Sequence, residues 1–231
     1  MPRAILALAC STLTMPAIAA DLLSSESLSG MVQTSAFSFD FDASNSDTDG
    51  LTAMLFAEMP LAVSSLADST AGTGSGSAVL QSLRAMNAVE AHGSALASAF
   101  STSDGGSGSD AIVQFSFAFV LGSGADYGLD WELAAGGVLV PGTAMITLSG
   151  PGGLVFSQPM HTFGSMSGTA SGTLPAGAYV LYAMAQASAS AGASGADGND
   201  ASFGLVFSVV PAPGALGLLS LSMLAAPRRR R

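Results

Sequence analysis

The stretch Phe37-Ser38-Phe39-Asp40-Phe41-Asp42 changes chemical character at every residue. Extended, it puts three phenylalanines on one side and Ser and Asp on the other, a sorting that a 3.6-residue helical period cannot produce. The pattern returns in Phe115-Ser116-Phe117-Ala118-Phe119, within 112–121, and in Leu129-Asp130-Trp131-Glu132-Leu133. Further extended candidates are 51–59, 94–102, 144–148, 154–157, 178–186 and 202–210, separated by Pro-Gly, Gly-Gly and Ser-Gly pairs that favour turns. About nine short strands with regular turn punctuation predict an all-β fold, a single β-sandwich or jelly-roll-like domain. The Phe side of each alternating strand is expected to face the core.

The rest of the sequence is made of small residues. Ala, Ser and Gly fill 104 of the 231 positions, so facing sheets can approach closely where such strands meet. Three Gly/Ser-rich stretches, 72–77, 104–110 and 192–200, read as loops. Over 79–100, Val79, Leu80, Leu83, Met86 and Val89 recur at helical spacing, although 94–102 is also an Ala/Ser-rich strand candidate. That region is open to helix and to strand.

Charge excludes two classes of chemistry. There is no Lys, and the six Arg are Arg3, Arg84 and the run Arg228, Arg229, Arg230, Arg231, against 16 acidic residues that all lie between Asp21 and Asp200. With no basic face to neutralise phosphates, the central domain is not a nucleic-acid binder. Without Lys there is no Schiff base.

Both ends read as addresses. Met1-Pro2-Arg3 and the apolar stretch Ala4–Leu13 lead to Ala17-Ile18-Ala19-Ala20, the small-x-small arrangement that signal peptidase accepts, so residues 1–20 are expected to leave as a signal peptide. Cys10, the only cysteine, would leave with them. The mature chain then has no disulfide, thiolate nucleophile or cysteine-bound zinc. The domain is drawn at 21–208 and the tail at 209–231.

That tail runs Val209-Val210-Pro211-Ala212-Pro213-Gly214, then an apolar segment to Ala226, then Pro227 and four Arg. As a helix, residues 214–226 would span about 20 Å at 1.5 Å per residue, short of a hydrocarbon core of roughly 30 Å. The Arg run would hold its end on the cytoplasmic side. The order of parts resembles the PEP-CTERM sorting signal of bacterial exported proteins, with Ala212 where the family motif has Glu. The resemblance covers Val209–Arg231 and rests on Val210, Pro211, Ala212, Pro213, Gly214 and Arg228–Arg231. It implies recognition by an exosortase-type membrane transpeptidase, transient membrane insertion through the tail, and delivery to the cell-envelope surface or extracellular matrix of a bacterium. Leu174-Pro175-Ala176-Gly177-Ala178-Tyr179, followed by Phe203-Gly204-Leu205-Val206-Phe207, resembles the closing strands of β-sandwich bodies that precede such tails.

Candidate sites are few. Asn45, Asp47 and Asp49 with Gly50 match the first half of a calcium loop, but the bidentate Glu of an EF-hand is replaced by Phe56. Calcium is thus the one cofactor weighed, against an acidic turn after a strand; Asp197-Gly198-Asn199-Asp200 is a weaker copy. Asp130 and Glu132 are carboxylates on one strand face, more simply the wet side of a strand whose dry side is Leu129, Trp131 and Leu133. If exposed, Trp131 could stack on a sugar of an extracellular polysaccharide. His92 and His161 lack metal-ligand spacing and read as surface residues. With no catalytic motif, the expected role is a non-catalytic structural or adhesive protein, the alternative being a carbohydrate- or calcium-binding module.

Overall fold

The structure is a computed structural model that describes residues 23–40, 46–55, 61–69, 71–85, 87–102 and 105–211. These form twelve strands: β1 (Leu23–Asp40), β2 (Ser46–Leu55), β3 (Leu61–Ser69), β4 (Gly72–Ala85), β5 (Ala88–Ser101), β6 (Gly105–Leu121), β7 (Ala125–Gly137), β8 (Thr143–Gly150), β9 (Gly153–Met160), β10 (Gly164–Leu174), β11 (Gly177–Ala191) and β12 (Gly195–Pro211). Two six-stranded antiparallel sheets are stacked as a β-sandwich, one in the order β2-β1-β6-β11-β8-β9, the other β10-β7-β12-β5-β4-β3. Residues 1–20, expected as a signal peptide, and the tail beyond Pro211 lie outside the described residues.

Half of the sandwich is packed conventionally. Phe115, Phe117, Phe119 and Leu121 of β6 point inward with Ile146 and Leu148 of β8 and Leu181 of β11, and meet Leu129 and Leu133 of β7 and Phe203, Leu205 and Phe207 of β12. Phe119 stacks on Phe117 at 5.3 Å and on Tyr179 at 5.4 Å, and meets Phe207 at 5.3 Å. Burial of such rings is the main favourable term in folding. The Tyr179 hydroxyl donates to the Pro175 carbonyl at 2.8 Å, tying the turn before β11 to the core.

The other half has almost no large side chains between its sheets. Ala95, Ala97 and Ala99 of β5, Ala111 of β6 and Ala187, Ala189 and Ala191 of β11 are buried there, with Ser38, Ser107 and Ser109. A Cβ on Gly74 of β4 would strike the carbonyl oxygens of Gly108 and Phe37 in the opposite sheet, and one on Gly76 would stand 3.0 Å from the Asp110 carbonyl. Backbone therefore packs on backbone. Ser38 crosses the gap, donating to the Gly72 carbonyl at 2.6 Å. The Ser107 and Ser109 hydroxyls donate likewise to the carbonyls of Phe100 and Ser98, at 2.6 and 2.9 Å.

This close approach overturns two expectations, on the Gly/Ser stretches and on the Phe face of β1, and a third region left open resolves as strand. Residues 72–77, 105–110 and 195–200 belong to strands β4, β6 and β12 rather than loops, and in β4 and β6 the glycines are what let the sheets touch. The region 79–100 is not helical: it is the end of β4 and most of β5, a hairpin in which Val79 pairs with Ser94 and Arg84 with Val89. In β1 the inward residues are Val32, Thr34, Ala36 and Ser38, while Phe37 is 43% exposed on the outer face. Phe37 and Phe39 lie over Gly108 and Gly106 of β6, their cross-strand partners, with ring centroids 6.4 Å apart.

Both ends of the described body leave from one pole. Leu23 is level with Leu121, and Leu121 with Gly177, in the first sheet; Pro211 is level with Ala125, and Ala125 with Leu174, in the second. The connections 122–124 and 175–176 join these levels.

Candidate functional site

The outer face of the β10-β7-β12-β5-β4-β3 sheet brings together residues that are far apart in sequence. One cross-strand row runs Ser167 (β10), Glu132 (β7), Gly204 (β12), His92 (β5); the next runs Thr169, Asp130, Val206, Glu90. Side chains alternate along a strand, so Asp130 and Glu132 share the face that Leu129 and Leu133 leave. Gly204 provides the floor. A Cβ there would stand 2.7 Å from Glu132 Oε1 and 3.0 Å from His92 Nδ1. The resulting open trough, about 440 Å³ in volume, is lined by residues that include His92, Asp130, Trp131, Glu132, Ser167, Thr169 and Val206, with Gly204 beneath.

His92 Nε2 lies 2.9 Å from Glu90 Oε1, and both side chains are about half exposed. An exposed contact of this kind contributes about 0–1 kcal/mol and orients the ring more than it stabilises the fold. The trough offers carboxylate acceptors, an imidazole and two hydroxyls to solvent, groups suited to hydrogen-bonding the hydroxyls of a polyol. Among the described residues no group of three His, Cys, Asp or Glu could hold a metal ion.

Several expected site residues sit elsewhere. Trp131 points inward: half-buried, it packs against the core with its ring centroid 6.1 Å from that of Phe156 and its edge against Gly168. Trp131 thus borders the trough as a half-buried residue rather than as a free-standing stacking platform. Asp47 and Asp49 lie on the edge strand β2, level with Ser38 and Ala36 of β1, while Asn45 is outside the described residues. Instead of forming a loop with its neighbours, Asp197 accepts from the backbone amides of Gly198 and Ser190 at 2.9 and 3.1 Å, and Asn199 is buried with its amide donating to the Ser188 carbonyl. His161 is exposed in the turn between β9 and β10. Of the sorting residues, Val210 and Pro211 end β12, while Ala212, Pro213, Gly214 and Arg228–Arg231 lie outside the described residues, as do Ala17, Ala19 and Ala20.

The association of His92 and Glu90 with the Asp130–Glu132 pair was not legible in the sequence. A lone Gly inside an alternating strand, as at Gly204, signals close approach by something, but the register that names the neighbour is long-range.

No family model matches this chain, and no curated protein matches it. Among solved structures it is similar to TmCBM61 in complex with β-1,4-galactotriose, at 13% identity and a TM-score of 0.28 over 62% of this chain and 86% of that one. It is also similar to the structure of infectious bursal disease virus Gx strain, at 10% identity and a TM-score of 0.23 over 81% of this chain and 56% of that one. At these scores neither likeness assigns a function.

Proposed function

We propose that this chain is an exported β-sandwich protein of a bacterial cell surface or extracellular matrix, processed at its C-terminal sorting signal and serving there as a structural or adhesive component. What supports the reading is that the first residues of the tail, Val209–Pro211, belong to the last strand of the described body. Val209 is a buried core residue, Val210 and Pro211 are the last residues paired in β12, and the rest of the tripartite signal follows at once. A sandwich whose two ends leave from one pole can be tethered there and still present both outer faces. N-terminal sequencing and intact-mass analysis of protein from the envelope or medium test this. The expected species starts at Ala20 or Asp21 and lacks Arg228–Arg231; a species starting at Met1 would remove the export reading.

A second reading, a carbohydrate-binding module, is favoured by one feature, the trough over Gly204 with its acids, His92 and two hydroxyls. Glycan-array binding that Glu132→Ala abolishes, with the melting temperature unchanged, would support it. An array blank for the parent protein would remove it.

A further inference from the structure

We infer that β10 is the self-association edge of this protein, pairing antiparallel with β10 of a second copy across a two-fold axis at Thr169. A sheet edge presents unpaired backbone N–H and C=O groups, and folded proteins normally blunt it with charge, proline or a bulge. Among the described residues, three of the four edge strands carry such a device. β2 contains Asp47 and Asp49, β3 contains Asp68, and β9 contains Pro159 and, separately, a register shift opposite Leu148/Ser149 of its partner β8. β10 has none of them. Its sequence, Gly164-Ser-Met-Ser-Gly-Thr-Ala-Ser-Gly-Thr-Leu174, is uncharged and proline-free, and its register on β7 is unbroken from end to end.

The pattern along β10 is self-complementary. Antiparallel pairing centred on Thr169 uses the whole strand and keeps outer face on outer face. It sets Thr169 against Thr169, Ser167 against Ser171 and Ser165 against Thr173, all hydroxyl pairs of the kind that hydrogen-bond across strands. On the inner face it sets Met166 against Gly172, Leu174 against Gly164, and Gly168 against Ala170, so each large side chain meets a glycine. Shifting the register by one residue would turn outer hydroxyls toward the inner face.

Charge favours this edge over the others for a second copy of the same chain. The body is strongly acidic, so pairing through β2 or β3 would bring carboxylates onto the joint. With β10 at the joint, the nearest acidic rows, on β7 of each copy, stand three strand spacings apart. That is about 14 Å at roughly 4.8 Å per strand, beyond a Debye length of about 8 Å in physiological salt. The flank that β10 shares with β9 also carries exposed apolar residues, Leu154, Val155 and Phe163.

The test uses the full chain in a Cys10→Ser background, with single cysteines introduced in β10 and mild oxidation followed by a non-reducing gel. Residues facing each other in an antiparallel pair have Cα atoms about 4.5–5.5 Å apart, within disulfide reach. Thr169→Cys is expected to give a covalent dimer at least ten times faster than Ser94→Cys, which is on the same outer face away from the edge. Ser167→Cys and Ser171→Cys should each react slowly alone and rapidly when mixed. Adding Ser167→Lys and Ser171→Lys to Thr169→Cys should abolish the band while the circular dichroism stays that of the parent and unfolding stays cooperative. For the chain without introduced cysteines, sedimentation should give twice the monomer mass. A Thr169→Cys rate no faster than Ser94→Cys, equal rates at all three β10 positions, a band that survives the Lys pair, or a monomeric parent would each overturn the proposal.

Discussion

A single hydroxyl can be a liability where two sheets touch. Thr34 Oγ1 is buried with no hydrogen-bond partner among the described residues, inside the thin half of the sandwich, where its Cβ lies 3.4 Å from the point a Cβ on Gly76 would occupy. Replacing an unsatisfied buried hydroxyl by a methyl of the same size removes its desolvation cost. Thr34→Val is therefore expected to raise the unfolding free energy by about 1 kcal/mol in urea titration. Gly74→Val, one layer away, should lower it by about 2 kcal/mol or more, because its side chain has only carbonyl oxygens to displace. Tyr179 gives a pH-dependent case. Burial raises its pKa above the ordinary phenol value of 10.0, so the unfolded chain ionises first as pH rises. The contribution of the buried neutral phenol is complete below about pH 10 and is lost as pH climbs through the folded-state value. Tyr182 is shifted the same way by burial. Tyr179→Phe should cost about 1 kcal/mol at pH 7 through the lost bond to Pro175, and it should flatten the alkaline fall in melting temperature. A parent melting temperature constant from pH 9 to 11.5 would contradict this.

Strands β1 and β6 carry nearly the same Phe-x-Phe signature and use it in opposite senses. In β6 the rings fill the thick half of the core; in β1 Phe37 and Phe39 lie outside, over glycines of β6. Alternation identifies two faces of a strand but not which of them is inside. Hydrophobicity decides that only where the gap between sheets has room for large side chains, and opposite β1 the gap is set by Gly72, Gly74 and Gly76. Phe117→Ala is thus expected to cost about 3–5 kcal/mol. Phe37→Ala, on an open face, should cost about 1 kcal/mol or less. Equal losses in chemical denaturation would show that the outer rings are a second core. The same cause explains what else the sequence left hidden. Strand class, most alternating elements and the wet face of β7 were legible, because they are local patterns. The Gly/Ser stretches 72–77 and 105–110 were not, because glycine's low strand propensity is overridden by a contact with residues far along the chain. The trough was half legible: the Asp130–Glu132 pair can be read from β7, whereas its proximity to His92 depends on both strands pairing with β12.

At the scale of the whole molecule, the tail has to be reconciled with the strand that precedes it. β12 lies between β5 and β7 in the middle of its sheet, and the Val209 amide also donates to the Asn87 carbonyl at 2.9 Å, so the first residues of the proposed signal are held by the folded body. Among the described residues Pro211 is the last one paired, level with Ala125, and Pro213 follows two positions on in the sequence. Proline has no N–H to offer a neighbouring strand or a following helix turn, and it biases the residue before it toward extended geometry. On the proposed sorting reading, the two prolines belong to the signal that is processed. Replacing both by Ala should then leave an unprocessed form in the membrane fraction with the melting temperature of the body unchanged. Deleting Arg228–Arg231 should act differently. An apolar segment of roughly 20 Å without a charged stop is a poor anchor, so that variant is expected in the soluble exported fraction, carrying its uncleaved tail. Intact mass and fractionation distinguish the cases. A native-host mature form that retains all four Arg would make the tail a plain anchor, and normal processing of the double Ala variant would show that the prolines serve the end of β12 alone.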